Sequence, residues 1–218
     1  MPEVGRPERL IVVPALITLA ITLLRLTGEL LHWSPALFNP EAGGGGALVG
    51  ISWLPPLFGL YFAFRLAQSG HAPGPLGRGF GLVLLAVALV PVSGAFAAAA
   101  GVDQQSLAML SVYIVASVVA IPIAVRAWPA LGRTLLAYAF AARIPVVLVM
   151  LLAILGNWGT HYDVPPSADF PAMGPWAKWF WIGLLPQMTV WIAYTVVIGA
   201  LVGIAMGALV ARRRPATA

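Results

Sequence analysis

Six apolar runs, each close to or longer than the ~20 residues that cross a bilayer, constrain this chain more than any other feature. They cover about 10–31, 48–67, 80–100, 107–127, 134–155 and 179–210. The 218 residues are 61% hydrophobic and only 9% charged, with a mean hydropathy of +0.94. A soluble domain carries about 25% charged residues, so this chain cannot cover a water-facing surface. The longest stretch outside an apolar run, Gly156 to Ala177, leaves no room for a separate soluble domain. The expected fold is all-α: one polytopic membrane domain over 1–218, a bundle of six transmembrane helices, several of them kinked by Pro.

Every run contains proline: Pro14, the Pro55-Pro56 pair, Pro91, Pro122, Pro145 and Pro186. Neighbouring helices and hydroxyl side chains can satisfy the carbonyls that proline frees in a membrane. The kinks serve either close packing or an internal cavity. The last run exceeds a bilayer's need and is expected to tilt, kink or start in the interface. It also reads Gly199-x-x-x-Gly203-x-x-x-Gly207. That small-residue ridge suits close helix contact, with another span or with a homo-oligomer or membrane partner.

Positive charge sets the orientation. With the N-terminus in the cytoplasm, Arg6, Arg9, Arg65, Arg78, Arg126, Arg133, Arg212, Arg213 and Arg214 all fall inside and only Lys178 falls outside. Glu41, Asp103, Asp163 and Asp169 then face out, together with most of the tryptophans. Both termini are expected in the cytoplasm. Arg6 and Arg9 ahead of an apolar run imitate a signal peptide, but the run continues into Arg25 and Glu29 without a cleavage site, so it reads as a first span. The net charge of +5 is spread over span ends and gives no nucleic-acid face. The absence of Cys excludes disulfides and thiolate chemistry. Eleven Arg against one Lys, with abundant Ala, Gly and Pro, points to a GC-rich bacterial genome and hence to the inner membrane.

Within the first run, Thr18, Thr22, Arg25, Glu29 and His32 fall in one sector of roughly 80° on a helix. Lipid cannot solvate such a stripe, so it must face protein or a wet cavity. Arg25 and Glu29 are spaced to pair, either as a brace for the bundle or as part of a site. Glu29-x-x-His32 places a carboxylate and an imidazole together, as acid–base candidates or as one half of a bundle metal motif. The loop Gly159-Thr160-His161-Tyr162-Asp163 falls on the same membrane side. Glu29, His32, His161 and Asp163 could therefore form a two-His, two-carboxylate site for a divalent metal. The plainer alternative is a loop in which Asp163 and Thr160 make turn hydrogen bonds.

Arg143 is a second cation inside a span, with no acid on its own helix. Two buried Arg against one buried Glu leave one charge uncompensated, which suits an anionic ligand. Capping of carbonyls freed by Pro145 or Pro186 is the rival account. Gln187, Trp191 and Tyr194 share a face of the last run and can join the same interior. The leading expectation is an outward-facing polar pocket in which Arg25, Arg143 and Gln187 bind an anionic or lipid-like ligand, with Glu29 and His32 as catalytic candidates should the protein be an enzyme. A transporter or channel, and a structural subunit of a membrane complex, are the alternatives.

Overall fold

The computed structural model describes residues 7–44, 46–167 and 170–212. Its long helices are α1 (Pro7–Leu30), α2 (Leu54–Gln68), α3 (Leu76–Ala99), α4 (Leu107–Ala127) and α5 (Pro129–Gly156). The last span is composite: α6 (Pro175–Lys178), a π-helical turn (Trp179–Leu184), α7 (Leu185–Met188) and α8 (Val190–Arg212). No strand occurs among the described residues. Five helical segments are long and apolar enough to cross a membrane: Leu10–Leu30, Leu76–Ala99, Leu107–Ala127, Pro129–Gly156 and Pro175–Val210. The fold is a helical membrane bundle. The side chains of Arg6, Arg9, Arg212, Arg213 and Arg214, and that of Asp169, lie outside what the structure describes.

Helix α2 departs from expectation. It begins at Leu54 rather than near 48, and its 15 residues reach only about 22 Å at 1.5 Å per residue. Pro55 and Pro56 start the helix instead of kinking its middle, because proline's missing N–H costs nothing in a first turn. The residues just before Leu54 form turns and irregular backbone. Such backbone is tolerated at membrane depth only where protein satisfies it. Arg25 does so, donating from Nη1 to the Val49 carbonyl at 3.0 Å and from Nη2 to the Asn39 carbonyl at 3.0 Å.

Helix α8 is the hub, packing on α2, α3, α4 and α5. Ile192, Val196, Ala200 and Ile204 bury one face of it. The glycine ridge finds its partners within the chain. A Cβ on Gly199 would meet Leu135, one on Gly203 would meet Leu131 and the Gly59 carbonyl, and one on Gly207 would press on Trp128. Gly59 in turn lies directly against the Gly199 backbone, so α2 and α8 touch main chain to main chain. Beside this seam Phe58, Phe62 and Tyr138 form an aromatic cluster, with Tyr138 5.3 and 5.6 Å from the two Phe rings.

Residues 59 and 63 of α2 meet 199 and 203 of α8 in the same order, so these helices run parallel. Thr18 meets Tyr138 within α5, while Thr22 and Glu29 further along α1 meet Tyr162 and His161 just beyond the end of α5, so α1 and α5 run in the same direction. This alternation puts the end of α1, the start of α2, the start of α4, the end of α5 and the start of the last span at one end of the bundle. The candidate site lies there.

The last span is broken where it was expected to kink. Its π turn is followed by Pro186, and Thr189 leaves helical geometry with φ −126° and ψ −72°. The Thr189 hydroxyl donates to the Leu185 carbonyl at 2.6 Å, holding the break in place. π turns are rare and concentrate at functional sites.

Candidate functional site

The polar stripe of α1 is buried as its sector required. Thr18, Thr22, Arg25 and Glu29 are all at most 8% exposed. Thr18 Oγ1 lies 2.8 Å from the Tyr138 hydroxyl and donates to the Pro14 carbonyl. Thr22 Oγ1 donates back to the Thr18 carbonyl at 2.9 Å. The hydroxyls are thus absorbed by helix carbonyls and by α5, leaving the ionic pair one turn above them.

Arg25 Nε donates to Glu29 Oε1 at 2.7 Å. Glu29 Oε2 accepts the His161 backbone N–H at 2.9 Å. The His161 ring nitrogen Nδ1 stands 2.6 Å from Glu29 Oε1, at ion-pair distance but out of line for a well-formed hydrogen bond. Burial holds the His161 imidazole below the usual histidine range, although Glu29 pulls the other way. The long loop therefore docks on the first helix, with Glu29 as its anchor. Tyr162 adds a hydrogen bond from its hydroxyl to the Thr22 carbonyl at 3.2 Å. Burial also raises the Tyr162 pKa, which keeps that hydroxyl a donor.

Two expected members of the site go elsewhere. His32 is exposed and ends α1, with φ +52°. Its N–H donates to the Glu29 carbonyl and the Trp33 N–H to the Gly28 carbonyl, the paired bonds that close a helix through a left-handed residue. That geometry turns its ring away from the stripe it would otherwise continue. Asp163 is buried in its own turn: Oδ1 accepts from the Thr160 N–H at 2.7 Å and the Thr160 hydroxyl at 2.8 Å, and Oδ2 from the Gly159 N–H at 3.0 Å. Of the four metal candidates the structure brings together Glu29 and His161. Among the described residues no three His, Asp or Glu side chains converge.

Arg143 is 4% exposed in α5. Its Nη1 donates to Gln187 Oε1 at 3.3 Å. Trp191 covers one face of the guanidinium, 4.7 Å from ring centroid to Cζ, a cation–π arrangement. Nε has no hydrogen-bond partner among the described residues. Neither Pro145 nor Pro186 draws it to a freed carbonyl; the broken last span supplies Gln187 and Trp191 instead. The Gln187 amide nitrogen reaches only the Met150 sulfur, at 3.7 Å, a weak acceptor.

Arg143, Gln187 and Trp191 share a cavity of about 300 Å³ with Thr22, Arg25 and His161. The rest of the lining is mostly apolar, including Ile21, Val146 and Ile182. Gly43 and Pro166, from the two long connections, also belong to its lining. Glu29 stands behind this wall, reaching it only through Arg25 and His161.

Of the residues singled out in the sequence, Arg25, Arg143, His161 and Gln187 line one cavity, and Glu29 lies directly behind Arg25 and His161. The sequence left Tyr162 and Tyr138 unassigned as partners of the stripe, and placed Trp191 on the interior face beside Gln187 without its contact to Arg143. A tyrosine beside His161 in a loop that must meet an ionic helix was the available signal for Tyr162. No sequence signal could have assigned the Asn39 and Val49 carbonyls to Arg25. No protein-family model, no curated protein and no solved structure matches the chain.

Proposed function

We propose that this membrane protein binds an anionic, lipid-like ligand in the outward-facing cavity, with Arg143 as the charge that holds it. One observation carries the reading: a guanidinium buried in a membrane helix, on the wall of a cavity, with no carboxylate among the described residues bonded to it. A charge at that depth costs about 2.5–3.5 kcal/mol on insertion scales, and a cation–π contact with one neutral amide offsets only part of it. An anion forked by the guanidinium supplies the remainder.

Arg25 plays a different part from the one its charge alone suggests. Its Nε, Nη1 and Nη2 bond Glu29, Val49 and Asn39, so it braces the wall and Arg143 takes the ligand. Any acid–base chemistry would fall to Glu29 and His161, the carboxylate–imidazole pair at the wall, because His32 faces away. The test is extraction and mass spectrometry of small molecules retained by the purified protein and by Arg143→Leu. An anionic amphiphile kept by the parent and lost at least tenfold in the variant supports the reading. Equal retention by a variant that folds alike refutes it.

A second reading, a transporter, is favoured by the break at Thr189 beside the cavity. It requires solvent access from the opposite end as well. The chain has no native cysteine, so single cysteines at Tyr138 and Ser117 report cleanly. If neither labels from the cytoplasm, with or without ligand, the transporter reading is lost.

A further inference from the structure

Resting on the reading above, we propose that the ligand's head carries a single negative charge shared by two oxygens, a carboxylate or a phosphodiester, and that its body is apolar. The free edge of Arg143 defines the head. Trp191 closes one face of the guanidinium and Gln187 takes Nη1. The edge that remains runs from Nε to Nη2, two parallel donors that match a pair of oxygens. The Gln187 amide nitrogen, held only by the Met150 sulfur, is a further donor next to that edge.

The number of charges follows from what the other ionic groups are doing. Arg25 is neutralised by Glu29 at 2.7 Å. Asp163 is buried, but its carboxylate is engaged by three donors of its own turn and does not line the cavity. Among the described residues, Arg143 alone faces the cavity without a carboxylate. A singly charged head pairs with it completely. A phosphomonoester dianion would bring a second charge with no partner into a desolvated site, where an unpaired charge is strongly disfavoured. The apolar body follows from Ile21, Val146, Met150, Ile182 and Pro186, which form much of the remaining wall. The volume, about 300 Å³, lies at the small end of ligand sites. It takes a head and a short length of chain, whether from a free fatty carboxylate or from a lipid whose tails stay in the bilayer.

The experiment is a thermal-shift titration of the full chain in a neutral detergent with four probes: decanoate, dioctanoyl phosphatidylglycerol, decyl phosphate and decanol. Stabilisation by decanoate or by the phosphatidylglycerol, at least tenfold tighter than by decyl phosphate or decanol, supports the inference, and which of the two acts identifies the source of the head. Stabilisation by decyl phosphate alone overturns the single-charge inference and leaves an anion site standing. Decanol acting as well as decanoate, or no probe acting, overturns both. Two variants guard against misfolding. Arg143→Lys keeps the charge but loses the fork, and should weaken decanoate or phosphatidylglycerol at least tenfold. Gln187→Glu places a carboxylate against Arg143; it should abolish probe binding while the unfolding temperature without probe holds or rises. Unchanged probe affinity in a folded Gln187→Glu protein overturns the proposal.

Discussion

Glu29 makes the bonds on which this end of the bundle depends. One oxygen holds Arg25 and the other holds the His161 backbone, so a single carboxylate ties the first helix to the long loop and steadies the Arg25 side chain that bonds Asn39 and Val49. Removing one partner of a buried ion pair typically costs about 3–5 kcal/mol, because the other charge is left unpaired. Glu29→Gln should therefore lower the thermal midpoint markedly and expose the backbone around 157–166 to hydrogen exchange; a variant with unchanged exchange there would show that the loop does not depend on Glu29. His32 gives the opposite expectation. Its φ of +52° is one that glycine adopts without strain. His32→Gly should leave stability within about 1 kcal/mol and ligand retention unchanged, whereas an acid–base or metal role would make the same change costly. Thermal unfolding and small-molecule retention measured together distinguish the two.

Elements meet here by removing side chains where helices must touch. Gly59 and Gly199 bring α2 and α8 into backbone contact, and α2 is held in register with the last span by that seam. A side chain larger than methyl at Gly59 has nowhere to go. Gly59→Val should destabilise by at least the 1–3 kcal/mol typical of overpacking. Gly81 in α3 is the control: a Cβ there meets nothing within 4 Å, and Gly81→Ala should be neutral or stabilising by roughly 0.5–1 kcal/mol. Equal effects at the two positions, read from unfolding temperatures in the same detergent, would contradict the α2–α8 seam. The break in the last span works at this scale too. The π turn and Thr189 let Gln187 and Trp191 reach Arg143 on a helix that then resumes as the hub of the bundle.

At the scale of the molecule, much of the architecture is legible in the sequence. Hydropathy runs fixed the helices because lipid leaves no other solution for the backbone. The burial of Thr18, Thr22, Arg25 and Glu29 followed from one helical face being polar. What escaped was governed by contacts distant in sequence. The late start of α2 depends on Arg25 satisfying carbonyls at 39 and 49, which no local pattern encodes. His32 belonged to the stripe by angle, but a left-handed helix end takes it out of the periodicity. The docking of the 157–167 loop is a tertiary event; the turn bonds of Asp163 to Thr160, by contrast, are local and match the plainer sequence reading of that loop. Orientation in the membrane rests on the positive-inside bias. It predicts that an impermeant maleimide labels Gln104→Cys in intact cells and labels Gly74→Cys only after permeabilisation; the reverse pattern would invert the bundle and put the cavity at the cytoplasmic end. The most direct test of the central claim is an experimental structure of the protein in lipid nanodiscs, resolved well enough to see what lies beside Arg143 Nε. The account predicts an oxyanion that is not part of the chain, about 2.7–2.9 Å from that nitrogen. A carboxylate of the chain itself, or backbone carbonyls capping the guanidinium, would contradict it.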